Sequence, residues 1–175
     1  MIILNSIIKI NLKIIVLIII LFASNNCSNS INTVEDIDTA KFIYNDALAK
    51  ANNKNYEEAT ELFEKVERDH PYSTWATKSK VMAAWSYYEN NNYDAAVLSA
   101  ERFIKNHPTH ELIPYAFYLR AMSFYERIID VERDAKMTVL AKEAFSVLID
   151  KFPNSEYSRE ARLKIELTRS NLAGK

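Results

Sequence analysis

The sequence has very little glycine, cysteine or excess charge. Its 175 residues include one Gly, four Pro and one Cys, and the formal net charge is −1. A single Gly argues against a phosphate-binding glycine loop and against an all-β fold with many tight turns. The one Cys, Cys27, cannot form an internal disulfide. Because the charges nearly balance, the chain has no general attraction to nucleic acid, and we expect it to bind none.

Residue types that carry catalysis are present, but they are not arranged for it. The three histidines are His70, His107 and His110. His70 and His107 each precede a proline where a helix is predicted to end, which favours a role in the turn. Neither has a Cys or a further pair of histidines nearby at the spacing of a metal site. No Ser, Thr or Cys stands in a recognisable nucleophile motif. We therefore expect no enzyme, no metal and no cofactor.

A segment of the chain recurs at a fixed spacing. Tyr56–Pro71 is echoed 37 positions later by Tyr93–Pro108. A looser third copy, Ala141–Pro153, keeps the internal spacing but follows at a longer interval. A period of about 20–50 residues indicates an array of stacked repeats. The sequence therefore predicts repeated structural units that bury their apolar surface against their neighbours.

Each copy has the pattern of a helix that ends at a proline. In the first copy Ala59 and Phe63 lie on one apolar stripe, and the closing proline disfavours further helix. Ala47, Ala84 and Ala121, again 37 apart, mark a preceding partner helix with a small residue that permits close approach. This pairing resembles the tetratricopeptide repeat. We predict an all-α solenoid of helical hairpins with repeats at residues 38–71, 74–108 and 110–153 and a partial repeat at 155–172.

The N-terminal segment differs in composition from the rest. Lys9 and Lys13 accompany a ten-residue apolar run, Ile14–Ala23. That run is shorter than the roughly 20 residues that cross a membrane, and it is typical of a secretory signal. Cys27 follows, and here the sequence resembles a bacterial lipoprotein signal, which implies lipid attachment at that Cys. A signal-anchor with an incidental Cys is the alternative. We expect residues 1–26 to be the signal peptide, 27–36 a lipidated tether and 37–175 the helical array.

The first helix of each hairpin lines the inner, concave face in arrays of this kind, and here that face is aromatic. Tyr and Trp give a large contact area and a polar tip at low entropic cost, which suits recognition. Glu89 and Glu126 stand beside the rings at equivalent places. The alternative is that the rings only fill gaps between stacked helices. We predict a peptide-binding groove whose candidate residues are Tyr44, Trp85, Tyr88, Tyr115, Tyr118 and Tyr125.

Three segments carry a more specific resemblance. They are Phe63–Ala76, with its His-Pro-Tyr-Ser-Thr-Trp-Ala ending, Ala100–Pro108 and Pro114–Ala121. With the charged insertion Asp130–Asp134, they resemble the BamD family, the lipoprotein subunits of the machine that assembles outer-membrane β-barrels. The resemblance covers Tyr44–Lys175.

The resemblance implies a non-enzymatic lipoprotein on the periplasmic face of the outer membrane. The implied partners are unfolded barrel precursors, received through a C-terminal aromatic signal, the barrel subunit BamA and the other lipoproteins of the complex. The family has more repeats than the three and a half of this sequence, so a fragment, a frameshifted reading and a short member are all open. Two other functions are also open: an adaptor in cell-wall or division complexes, and an accessory subunit of an envelope enzyme.

Overall fold

A computed structural model describes residues 32–128 and 135–173 of the chain, which form seven α-helices there. The predicted signal peptide, Cys27, half of the predicted tether (residues 27–31) and the insertion at residues 130–134 lie outside the described residues. By its contacts the chain divides into a unit of residues 1–35 and a unit of residues 36–175. The helices are α1 (Asn32–Asn52), α2 (Tyr56–Asp69), α3 (Thr74–Glu89), α4 (Tyr93–Asn106), α5 (Ile113–Tyr125), α6 (Ala135–Lys151) and α7 (Glu156–Ala173).

The helices form successive antiparallel hairpins, which confirms the predicted all-α, tetratricopeptide-like fold. From α2 onwards each helix packs against the next one along the chain. In addition α3 packs against α5, and α5 packs against α7, so the first helices of neighbouring hairpins are in contact. These first helices form the inner layer that carries the candidate groove. None of the helices described is long and apolar enough to cross a membrane.

Helices α2 and α4 end in nearly the same backbone conformation. Their C-cap residues are His70 (φ −130°, ψ 53°) and His107 (φ −133°, ψ 56°). The His70 N–H donates to the Val66 carbonyl, and the His107 N–H donates to the Phe103 carbonyl. The next residue is Pro71 in the first case and Pro108 in the second. A proline disfavours helical geometry in the residue before it. The recurring His-Pro pair therefore ends the second helix of each of the first two hairpins.

Asparagine and serine side chains cap the helices that follow the turns. Asn55 and Asn92 each accept, at 3.4 Å, the backbone N–H three residues later, and Ser73 accepts the N–H two residues later at 3.1 Å. The turns also need a left-handed residue, which Asn tolerates well. In the second turn this residue is Asn91 (φ 58°), whereas in the first turn it is Lys54 (φ 60°). The Asn-rich turns therefore supply caps as well as left-handed residues.

Two helices begin elsewhere than the sequence predicts. The sequence predicts that the third hairpin opens at residue 110, but α5 begins at Ile113. The reason is a preceding turn in which Nδ1 of His110 accepts the backbone N–H two residues later at 3.1 Å. Helix α1 begins at Asn32, earlier than the expected Asp38. The acidic residues that follow Asn32 favour a helix start there.

Small and aromatic residues alternate at the junctions between helices. Ala47, Ala84 and Ala121 are fully buried, as expected for positions where two helices approach closely. Phe63 and Phe145 are also fully buried in the second helices of their hairpins. Each such ring contributes about 1.5–3 kcal/mol through burial of apolar surface. This core fixes the positions of the first helices, and therefore of the inner face.

Candidate peptide-binding groove

The six predicted groove residues lie on the first helices of the three hairpins, α1, α3 and α5. All six are half-buried, with part of each side chain in the core and part exposed. Trp85 packs against two core clusters, that of the first hairpin and the large cluster of the second and third. The rings therefore contribute to packing between repeats and also present a surface. The six are Tyr44, Trp85, Tyr88, Tyr115, Tyr118 and Tyr125.

Tyr44 has its ring contacts at the junction of the first two hairpins. Its ring centroid is 5.4 Å from that of Phe63 and 4.9 Å from that of Trp75, where α1, α2 and α3 meet. Burial raises the pKa of Tyr44. Lys78 continues this end of the groove, with its Nζ 5.3 Å from the centroid of the Trp75 ring. At this end the groove is aromatic and carries a cation.

The middle of the groove pairs aromatic donors with carboxylates. Trp85 donates from Nε1 to Oε1 of Glu89 at 3.1 Å. Tyr88 donates from its hydroxyl to Oε1 of Glu126 at 3.4 Å. The pKa of Tyr88 is raised, first by burial and then by the nearby charge of Glu126. Tyr88 therefore stays protonated and remains a hydrogen-bond donor at neutral pH.

A residue that the sequence reasoning missed completes the next part of the groove. Tyr157, on α7, has its ring centroid 5.2 Å from that of Tyr115 and 5.4 Å from that of Tyr118. Burial raises the pKa of Tyr118, and a hydrogen bond to Glu160 raises it further. Tyr157 and Glu160 also line a cavity of about 280 Å³ on α7. The groove therefore extends onto the fourth hairpin's first helix.

The sequence contained a signal for Tyr157. It stands four residues after Pro153, as Trp75 stands four residues after Pro71. Trp75 packs on the first helix of the preceding hairpin, and Tyr157 does the same two repeats further along the array. The repeat therefore continues through the residues after the proline, and that continuation indicates Tyr157.

Tyr125 is the last residue of α5. Its ring centroid is 6.1 Å from that of Phe145, and Nζ of Lys164 lies 4.7 Å above it. Tyr88, by contrast, lies close to Tyr115 and Tyr118. Burial raises the pKa of Tyr115 and of Tyr118, and the proximity of Tyr88 raises both further. The structure thus brings together a tyrosine cluster, which we define as Tyr88, Tyr115, Tyr118 and Tyr157.

A second polar region joins α2, α3 and α4. Nζ of Lys80 donates to Nε2 of His107 at 3.3 Å and lies 3.9 Å from the Glu67 carboxylate, which Arg102 approaches to 3.7 Å. Burial lowers the pKa of His107, and the positive charge of Lys80 lowers it further. Across the described part of the chain, no three His, Cys, Asp or Glu side chains are grouped to hold a metal.

The described helices form a scaffold of stacked hairpins. Its inner face carries half-buried aromatic rings beside hydrogen-bond acceptors, an arrangement suited to binding. The chain belongs to the family YfiO, outer membrane lipoprotein, which matches it over residues 36–175. The predicted family resemblance is therefore confirmed.

Curated relatives agree with the family match. The chain is 38% identical over 135 residues to the outer membrane protein assembly factor BamD of Caulobacter vibrioides, covering 77% of this chain and 44% of that protein. It is 33% identical over 159 residues to the BamD of Rickettsia prowazekii, covering 91% and 63%. The BamD of Neisseria gonorrhoeae is 33% identical over 133 residues, covering 70% and 50%. The chain thus spans about half the length of the curated relatives that it matches.

Proposed function

We propose that this chain takes part in outer-membrane protein assembly and acts by binding, without catalysing a reaction. The observation that carries this proposal is the family match over residues 36–175, the whole helical array. The relatives are named as assembly factors of outer membrane proteins. The tyrosine cluster supports a binding role, because it offers aromatic area and phenol donors at one place on the inner face.

In this proposal the groove holds an extended segment of an unfolded β-barrel precursor. The rings at Trp85 and the tyrosine cluster contact an aromatic side chain of that segment. The signal at residues 1–26 is removed, and lipid on Cys27 anchors the chain to the periplasmic face of the outer membrane. Residues 27–36 form the tether, and its last five residues belong to α1. A BamA-type barrel subunit and the other lipoproteins of the complex are the partners.

A double substitution tests the groove. Trp85→Ala with Tyr118→Ala removes two rings from its middle, and we expect affinity for a peptide with a C-terminal Phe to fall tenfold or more, since buried aromatic contacts each contribute on the order of 1–2 kcal/mol. The matched control is Phe42→Ala with Tyr72→Ala, two rings that are 73% and 99% exposed. Isothermal titration calorimetry measures the affinities, and circular dichroism confirms that both variants fold. Equal affinity in the two variants would overturn the groove.

The partners are tested by isolating the complex in mild detergent from native membranes and identifying its components by mass spectrometry. Recovery of a BamA-type subunit supports the proposal. Clean recovery of the lipoprotein with cell-wall or division proteins, and without that subunit, would instead support an adaptor of those complexes.

A further inference from the structure

We propose that the groove selects peptides in which a Lys or Arg stands close to the aromatic residue, and that it disfavours an acidic residue there. This inference rests on the proposed function, because it concerns the ligand of the same groove. It goes further in naming the charge of that ligand.

Three carboxylates border the aromatic middle of the groove. Glu89 accepts from Trp85, Glu126 accepts from Tyr88, and Glu160 accepts from a tyrosine of the next repeat. A carboxylate has about four acceptor sites on its two oxygens. Each of these groups therefore keeps acceptor capacity for a ligand after its bond to the ring. Glu126 and Glu160 are also exposed, so an ammonium or guanidinium group can reach them.

The negative charge acts on several rings at once. Glu89 raises the pKa of Tyr88, Tyr93 and Tyr115, in each case after the larger effect of burial. Glu126 raises the pKa of Tyr88 and Tyr93 in the same way. Glu89 and Glu126, which accept hydrogen bonds from Trp85 and Tyr88, therefore both lie beside the tyrosine cluster. A ligand cation placed there is attracted by more than one of them.

Most neighbouring cations are engaged elsewhere. Arg127, next to Glu126 in sequence, pairs with Asp94 on α4. Lys78 and Lys164 lie over aromatic rings, 5.3 Å and 4.7 Å from the ring centroids. Arg159 lines the same cavity as Glu160. The three carboxylates beside the rings therefore outnumber this cation. An aromatic side chain can enter this region with a cation beside it, whereas an adjacent carboxylate is repelled.

The experiment compares three nine-residue peptides that end in Phe and differ only at the third residue from the C-terminus, which is Lys, Gln or Glu. Binding to the full chain is measured by fluorescence anisotropy at 50 and 500 mM NaCl. We expect the Lys peptide to bind about threefold to tenfold more tightly than the Gln peptide at low salt, and the Glu peptide to bind more weakly than both. The advantage of Lys is expected to shrink at high salt, because the contacts are partly exposed.

Matched variants identify the carboxylates. Glu89→Gln with Glu126→Gln keeps one acceptor oxygen on each side chain but removes two charges, and it is expected to reduce the preference for the Lys peptide over the Gln peptide to less than about twofold. Glu57→Gln with Glu61→Gln makes the same change in net charge at exposed positions of α2 and is expected to leave the preference intact.

The outcomes separate the two proposals. If all three peptides bind with equal affinity, and Trp85→Ala with Tyr118→Ala weakens them all, the groove stands and the charge preference is overturned. If no peptide binds, the groove itself fails and the charge preference fails with it. A preference that the α2 variant removes as fully as the groove variant would also overturn the assignment to Glu89 and Glu126.

Discussion

Removal of Phe103 should show how strongly the array depends on its junction residues. The Phe103 side chain is 1% exposed on α4 and belongs to the large core cluster. Replacing a buried Phe by Ala typically costs 3–5 kcal/mol, from which a gain in helix propensity of about 0.5 kcal/mol is subtracted. We therefore expect Phe103→Ala to lower the free energy of unfolding by roughly 2.5–4.5 kcal/mol, a large share of the 5–15 kcal/mol typical of a domain.

The control for Phe103→Ala lies on the same helix. Leu98 is 70% exposed, so Leu98→Ala removes an apolar side chain of α4 without opening a cavity, and it is expected to change stability by less than about 1 kcal/mol. Urea unfolding followed by circular dichroism at 222 nm compares the two variants with the unmodified protein. Hydrogen exchange of α4 and α5 shows whether the loss is local. A difference between the variants below about 1 kcal/mol would refute the placement of Phe103 in the core.

Two further predictions concern pH and the turns. Burial and Lys80 lower the pKa of His107, so the folded chain binds fewer protons than the unfolded chain, and stability should fall as pH drops through the ordinary value of 6.5 and level off below the lowered one. His107→Gln should reduce the loss of unfolding free energy between pH 7.5 and 5.0, as measured by urea unfolding. An unchanged loss would contradict the assignment to His107. Asn92→Ala should cost about 1 kcal/mol by removing the α4 cap, whereas Asn91→Gly should cost less, because its φ of 58° suits Gly and only an exposed hydrogen bond from the Tyr93 hydroxyl is lost. Equal melting temperatures would contradict the cap.

The architecture could be predicted from the sequence because its determinants are local and repeat. The prolines that close α2 and α4, the alanines at helix contacts and the asparagine turns each act within a few residues. A spacing of 37 residues then places equivalent groups in equivalent surroundings. The start of α5 could not be predicted in the same way, because a His110 side chain bond adds a turn before the helix.

The inner face could be predicted only in part, because the direction of each ring depends on the neighbouring repeat. Tyr44 occupies the position that recurs as Tyr118, yet it packs against Phe63 and Trp75, whereas Tyr118 meets Tyr157. The contacts with Trp75 and Tyr157 each join a hairpin to the one that follows it, whereas the contact with Phe63 lies within the first hairpin. Reasoning about one helix at a time identifies which residues share a face, but it does not identify what each ring touches.

The packing of each described hairpin against its immediate neighbours has a mechanical consequence. The contacts run from each helix to the next and from one first helix to the next, along α2 to α7. A small change in the angle between two neighbouring hairpins therefore adds to the change between the next two. Small changes at several contacts between hairpins can therefore widen or narrow the inner face, with little distortion at any one contact. Substitutions at the contacts between hairpins are therefore expected to alter the width of the inner face without replacing any groove side chain.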